Sequence, residues 1–138
     1  MKRSRELTVC GMLTALAIIL SIVERAFPLD AIIPIPGVKL GLANVVTLFA
    51  LTRLGLRDSL AVVVCRVTLA SLLMGSVTAF LFSLFGGLLA LFVMWALLHA
   101  EGRFCSLLGV SVAGAAAHNI GQICAAVLWM KTAAVLTY

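Results

Sequence analysis

The sequence predicts an all-α membrane protein, with residues 1–138 forming one polytopic helix bundle. Of the 138 residues, 64% are hydrophobic and only 11% are charged, and the mean hydropathy is +1.24. Apolar stretches of about 18 or more residues recur along the chain, and each is long enough to cross a bilayer as a helix. Backbone polar groups in lipid must be bonded within their own segment, so such runs favour helices over a barrel.

Five spanning helices are predicted from the apolar runs. They lie at about residues 7–23, 39–52, 58–74, 77–98 and 104–130. Asp58 is suited to cap the third helix. Residues 26–38 contain three prolines, which lack the amide donor, so this segment is expected to be a structured loop or a short interfacial element. Residues 131–138 resemble the start of a further segment, and a sixth helix is therefore expected.

The basic residues predict the orientation of the bundle. With a cytoplasmic amino terminus, the cytoplasmic side receives most of them, as the positive-inside rule requires; they are Lys2, Arg3, Arg5, Arg53, Arg57 and Arg103. The opposite side receives Arg25, Lys39 and Lys131, the first two in a loop that also holds Glu24 and Asp30. We therefore expect a multi-pass protein of a bacterial plasma membrane with its amino terminus inside.

The net charge and the cysteines exclude other classes of function. The net charge of +5 comes from residues scattered at segment ends, so no nucleic-acid partner is expected. The four cysteines lie in apolar surroundings without a C-x-x-C motif or a nearby histidine pair, which favours buried free thiols over a metal site or disulfides; they are Cys10, Cys65, Cys105 and Cys124. No metal and no cofactor are expected.

Polar residues are predicted to converge in the outer half of the bundle. Asn44 lies near the outer end of the second helix, and the fifth helix carries His118, Asn119 and Gln122 past its midpoint. Polar side chains at this depth are costly and mark functional positions. We therefore predict that they line a substrate-binding pocket, although His118 also fits a packing role.

Lys39 is predicted to lie at the amino end of the second helix, at the outer surface with Glu24. A lysine and free backbone amides at a helix amino terminus form a receptor for an anionic group. Alternatively, Lys39 extends to the membrane interface or pairs with Glu24 or Asp30.

Arg66 lies near the middle of the third helix. Because a lipid-facing arginine there costs several kcal/mol, about 3 on the lenient insertion scale, it is expected to face the bundle interior. It then serves either as a clasp to backbone carbonyls or to a hydroxyl such as Ser83, or as a ligand-binding group.

Small residues at helical spacing predict close packing. Gly109, Ala113, Ala117, Gly121 and Ala125 form one stripe on the fifth helix, beside a second stripe that holds His118. Gly86 and Gly87 allow a close approach on the fourth helix. Gly11 and Ala15 form a similar pair on the first helix, which suits either packing within the chain or docking of a partner.

Three separated motifs resemble one family. They are Glu24 followed by the proline-rich loop and the run PGVKLGLANVVTL at 36–48; Arg66 with FSLFGG at 82–87; and VSVAGAAAHNIGQ at 110–122. They are similar to the Gx transporter family, whose members are often named heptaprenyl diphosphate synthase component I. This family resembles the substrate-binding S components of energy-coupling factor transporters.

The resemblance implies a six-helix subunit that captures a small compound from outside. Such subunits work with a coupling subunit and a pair of cytoplasmic ATPases, and a small-residue motif in the first helix contacts the coupling subunit, which implies this role for Gly11 and Ala15. The implied partners are a small-molecule substrate, anionic or related to isoprenoids or quinones, membrane lipid, and these subunits.

Catalysis is not expected, despite the enzyme name. Prenyl diphosphate synthesis requires clustered aspartates that hold magnesium against the diphosphate. The five acidic residues of this chain are scattered; they are Glu6, Glu24, Asp30, Asp58 and Glu101. The alternative function is a non-catalytic membrane component of heptaprenyl diphosphate or quinone metabolism.

Overall fold

In the computed structural model, the described residues of the chain form a bundle of five α-helices, as predicted. They are α1 (Lys2–Ala26), α2 (Leu42–Leu54), α3 (Leu56–Met74), α4 (Val77–His99) and α5 (Leu107–Met130). The structure describes residues 2–27, 41–74, 77–100 and 106–130. The proline-rich loop and the turn predicted at Gly75 and Ser76 lie outside these residues.

The shortest helix, α2, occupies the centre of the bundle. It contacts each of the other four helices, whereas α1 and α5 do not contact one another within the described parts of the chain. Its central place explains why its buried face includes Ala43, Val46 and Ala50, whose small side chains allow neighbouring helices to approach. The polar residues near its amino end are therefore surrounded by protein.

Two apolar clusters meet at α2. One joins α1, α2 and α3 through residues such as Leu13, Ala17 and Val46. The other joins α2 to α3, α4 and α5, with Leu91 and Met94 fully buried within it. Together they hold all five helices around α2.

The outer surface of the bundle is apolar. Leu72, Val77 and Leu108 are more than 70% exposed, and they belong to a larger set of exposed aliphatic and aromatic side chains. A water-soluble protein rarely exposes apolar surface on this scale. Lipid is the solvent that this surface suits.

Three helices are long and apolar enough to cross a membrane: Arg3–Glu24, Val77–His99 and Leu107–Trp129. The 13 residues of α2 extend roughly 20 Å, less than the ~30 Å hydrocarbon layer. The 19 residues of α3 include Arg57, Asp58 and Arg66. That α2 and α3 also cross the membrane stays a prediction, as does the sidedness of the bundle.

Four predicted helix starts differ from the structure. The first helix begins at Lys2 instead of about residue 7, and the fifth begins at Leu107 instead of about residue 104. The second helix begins at Leu42, after Gly41, and not at Lys39. The third begins at Leu56, so Asp58 lies within its first turn and is not its cap. There its negative charge still complements the positive end of the helix dipole. The backbone of Gly55 has a φ of 91°, which ends α2 and lets α3 begin at the next residue.

Candidate functional site

Glu24 connects the end of α1 to the start of α2. Its side chain is 7% exposed, and Oε1 accepts a hydrogen bond of 2.5 Å from the backbone N–H of Gly41. Gly41 has a φ of 75°, a left-handed conformation that glycine adopts without steric penalty. Its carbonyl accepts a bond of 2.8 Å from the Asn44 N–H. The carboxylate therefore lies at the amino end of α2.

Asn44 lies where the start of α2 meets α5. Its side chain is 2% exposed. A Cβ atom added at Gly41 would lie 3.3 Å from Asn44 Nδ2 and 3.0 Å from the Ala115 Cβ atom. The missing side chain at Gly41 thus lets α5 approach Asn44 closely.

Arg66 faces the interior, as predicted. It is 4% exposed, and a Cβ atom at Gly87 would lie 3.4 Å from its Nη2 atom. Glu24 is the carboxylate that acts electrostatically on the Arg66 charge. The guanidinium therefore lies against Gly87 of α4, within electrostatic range of Glu24.

His118 faces the neighbouring glycine of that pair. It is 8% exposed, and a Cβ atom at Gly86 would lie 3.2 Å from its Cε1 atom and 2.9 Å from Gln122 Cγ. Because Gly86 and Gly87 are consecutive, Arg66 and His118 approach α4 at adjacent positions. The predicted close packing of Gly86, Gly87 and Gly121 is confirmed, since a Cβ atom at Gly121 would lie 2.8 Å from Gly86 Cα.

These contacts, together with the electrostatic effect of Glu24 on Arg66, involve residues of all five helices. We call Glu24, Asn44, Arg66 and His118 the polar cluster. Three buried polar atoms in or beside it have no hydrogen-bond partner among the described residues: Asn44 Nδ2, Arg66 Nε and, one turn beyond Ala115, Asn119 Oδ1.

Buried hydroxyl groups elsewhere in the bundle are bonded within their own helices. Thr47 donates to the Ala43 carbonyl at 3.2 Å, and Ser59 donates to the Gly55 carbonyl at 2.7 Å. Such bonds satisfy the polar group without any outside partner. The unpaired atoms of Asn44, Arg66 and Asn119 thus differ from ordinary buried polar groups, because an unmade bond in a buried setting costs about 1–3 kcal/mol.

A family model matches residues 13–138, nearly the whole chain, and its description is heptaprenyl diphosphate synthase component I. The chain belongs to this family. No curated protein and no solved structure matches it. The resemblance seen in the three sequence motifs is therefore confirmed at the level of the heptaprenyl diphosphate synthase component I family.

In this family member, three of the six predicted site residues lie in the polar cluster. Asn44, Arg66 and His118 lie in the polar cluster, and Asn119 and Gln122 extend from it along α5. Lys39 lies outside the described residues. That these residues bind a substrate stays a prediction.

The anion receptor predicted at the amino end of α2 needs a correction. The helix starts three residues after Lys39, and the Gly41 N–H at this end is already bonded to the Glu24 carboxylate. Glu24 was expected at the outer surface, but it is buried. The protein thus supplies its own anion at this helix end.

Glu24 was not among the predicted site residues. The sequence signal for it was an acidic residue directly before the proline-rich loop, in a chain with an arginine near the middle of its third helix. A buried cation in a membrane pairs with an anion or with backbone carbonyls. Glu24 is the acidic residue that acts electrostatically on Arg66, and no spacing along the sequence reveals that it does.

Gly11 and Ala15 lie on the exposed face of α1. A Cβ atom at Gly11 would meet nothing within 4 Å. Of the two alternatives for this pair, packing within the chain therefore finds no support among the described residues. Docking of a partner stays a prediction.

An apolar groove of about 140 Å³ lies between the amino-terminal part of α4 and the carboxy-terminal part of α5. It is lined by Leu81, Phe85, Ala125, Leu128 and Trp129. None of the predicted site residues lines it, and its composition suits contact with lipid. Among the described residues, no group of three or more histidine, cysteine or acidic side chains is placed to hold a metal.

Proposed function

We propose that this chain is the substrate-binding membrane subunit of an importer similar to the energy-coupling factor transporters. It captures a small compound from outside the cell, and the polar cluster with Asn119 and Gln122 forms the binding site. The observation that carries the proposal is the set of buried, unpaired polar atoms on α2, α3 and α5. A ligand that bonds to these atoms removes the free-energy penalty of leaving them unpaired.

The position of the cluster supports capture from outside. Glu24 lies in the last turn of α1, and Asn44 lies in the first turn of α2. With a cytoplasmic amino terminus, both helix ends lie on the outer side. The cluster is then reached from outside and is separated from the cytoplasm by the apolar residues around Leu91 and Met94.

The exposed pair on α1 supports association with a coupling subunit. Gly11 and Ala15 lie nearer the amino end of α1 than the site does, on a face that no described helix covers. Small residues allow two helices to approach closely within a membrane. Transport energy comes from partner ATPases in this proposal, and the chain itself carries out no chemical reaction.

The family description favours a second candidate function. In this alternative, the chain is a non-catalytic membrane component of isoprenoid or quinone metabolism. It would then hold a soluble prenyltransferase at the membrane, and the polar cluster would serve to stabilise the bundle.

Native mass spectrometry of the full-length protein from its own membrane distinguishes the two functions. The importer predicts a small molecule bound to the chain, together with a coupling subunit and ATPases. Recovery with a soluble prenyltransferase, and without any ATPase, would instead support the alternative.

A further inference from the structure

We infer that a phospholipid with an anionic headgroup binds to the outward face of α2, in a gap between α1 and α5. Its phosphate lies at Arg53, near the carboxyl end of α2, and an acyl chain lies over Phe49 and Val45. This surface is separate from the polar cluster, so the inference does not depend on the importer function.

The contacts between helices leave one side of α2 open. The other helices surround α2 in the order α1, α3, α4 and α5, and each of these contacts the next. Within the described parts of the chain α5 does not contact α1, so this ring has a gap. Val45 and Phe49 are 51% and 49% exposed. Being four positions apart, they share one face of α2, and the gap is where that face lies.

Arg53 continues this face, four positions after Phe49. Its side chain is exposed, and its Cζ atom lies 5.9 Å from the centroid of the Phe49 ring, a cation–π contact. The contact holds the guanidinium against the apolar part of the face. Within the described parts of the chain Arg53 has no acidic partner, so its N–H donors are available to a ligand.

The order of charged and apolar surface on this face matches a phospholipid that lies along the helix. Val45 precedes Arg53 by eight positions, which corresponds to about 12 Å along α2. A guanidinium binds phosphate through paired hydrogen bonds, and the exposed valine and phenylalanine suit an acyl chain. An apolar helix in the gap would cover these two side chains but would leave Arg53 without an anion.

The charge at this end of the bundle favours an anionic headgroup. The bond between Glu24 and Gly41 joins the end of α1 to the start of α2, so the amino end of α1 lies at the same end of the bundle as Arg53. Arg3 and Arg5 are exposed there. Basic residues at a membrane surface attract anionic lipids, and in the predicted orientation this surface faces the cytoplasmic leaflet.

Native mass spectrometry of the full chain in detergent tests the inference. The probes are phosphatidylglycerol, which is anionic, and phosphatidylcholine, which is zwitterionic, with identical acyl chains. The wild-type protein is expected to bind phosphatidylglycerol at about fivefold lower lipid concentration, the preference that one basic residue provides. Arg53→Gln should remove this preference, and Arg53→Lys, which keeps the charge, should retain it.

Arg57→Gln is the matched control, because it removes the same charge from an exposed position of α3. It should keep the preference for phosphatidylglycerol. Equal losses from Arg53→Gln and Arg57→Gln would overturn the inference, since they would show diffuse attraction without a site. Equal binding of the two lipids by the wild-type protein would also overturn it and would favour an apolar helix as the occupant of the gap.

Phe49→Ala tests where the acyl chain lies. The substitution removes apolar surface from the gap, so it is expected to weaken the binding of both lipids. Unchanged binding of both lipids by this variant would place the acyl chain outside the gap and overturn the assignment of the site to α2.

Discussion

Gly41 shows how one residue allows the site to form. Its left-handed backbone turns the chain into α2, its N–H binds Glu24, and its missing side chain leaves room for Ala115. Gly55 also has a positive φ, of 91°, but its ψ of 179° lies outside the left-handed helical region, and an added Cβ atom there meets nothing within 4 Å.

We predict that Gly41→Ala destabilises the protein more than Gly55→Ala does. Both changes place a Cβ atom on a backbone with positive φ, in the left-handed region at Gly41 and near a ψ of 180° at Gly55, and either conformation costs about 1–3 kcal/mol. Only Gly41→Ala also forces the new atom to 3.0 Å from the Ala115 Cβ atom, adding about 1–3 kcal/mol of overpacking. Thermal unfolding in detergent measures the difference, and equal losses of stability would contradict the close contact.

Substitution of Arg66 distinguishes a role in ligand binding from a purely structural role. We predict that Arg66→Met keeps the fold, because methionine fills similar space, but weakens retention of the co-purifying compound more than tenfold. A bond from a charged donor contributes about 1.5–3 kcal/mol. Native mass spectrometry measures retention, and thermal unfolding measures stability.

Arg57→Met is the control for this prediction, since it makes the same change at an exposed position of α3. Arg57→Met is expected to change neither the retention of the co-purifying compound nor the thermal stability. Unfolding of Arg66→Met, with Arg57→Met unaffected, would show that Arg66 is a clasp that holds the bundle together.

At the scale of helices, the contact between α4 and α5 holds His118 against Gly86. It depends on glycines, because backbone atoms of the two helices come close enough to exclude even a methyl group. Gly86 and Gly121 face one another, and Gly114 leaves space for Met94. The small-residue stripes of α5 are thus used mainly for packing against α4.

Gly121→Ala is predicted to destabilise the bundle by about 1–3 kcal/mol. The new Cβ atom would lie 2.8 Å from Gly86 Cα and 3.0 Å from the Phe85 carbonyl oxygen, and neither backbone atom can turn away. Gly11→Ala is the matched control in the interior of α1. It should leave stability unchanged or raise it by up to about 1 kcal/mol, because alanine favours helix. If Gly121→Ala and Gly11→Ala change the thermal stability equally, the close contact between α4 and α5 is refuted.

For the exposed face of α1, we predict a loss of partner binding without a loss of stability. Gly11→Leu combined with Ala15→Leu should leave folding and ligand retention intact, because the new side chains enter space that no described residue fills. The same variant should lose the coupling subunit in affinity purification. Ala116→Leu, at an exposed position of α5, is the control and should retain the partner. Retention by both variants would place the docking surface elsewhere.

At the scale of the whole molecule, Glu24 and Asn44 lie towards one end of the bundle, and the apolar cluster around Leu91 and Met94 lies towards the other. The site lies at the outer ends of α1 and α2 only if the amino terminus is cytoplasmic. The distribution of Arg53 and Arg57 at the junction of α2 and α3 favours that orientation. The direction of capture therefore depends on the topology.

Reporter fusions test the topology directly. Alkaline phosphatase fused after Arg57 should be inactive, whereas a cytoplasmic fluorescent reporter at the same position should be active. Fusions after Phe27 should show the reverse. Phosphatase activity of the fusion after Arg57 would show that the bundle has the opposite orientation, with the polar cluster on the cytoplasmic side.

The sequence by itself determined the helical class, the number of helices and the residues that are costly in a membrane. These properties depend on apolar run length and on local composition, so they can be determined without knowing how the helices pack. It also identified the chain's family from three motifs. The predicted starts of α1, α2, α3 and α5 missed by a few residues. The start of α2 follows the left-handed Gly41, whose N–H binds Glu24 of another helix, a contact that no local pattern reveals.

Only the tertiary structure decided which polar residues meet. Glu24 and Arg66 are 42 positions apart by their numbers in the chain, and their electrostatic interaction follows from the packing of α1 against α3. The same packing placed a carboxylate where an anion-binding site was predicted. Charge balance in a low-dielectric interior depends on distances in space, so the chemistry of this site could be derived only from the folded bundle.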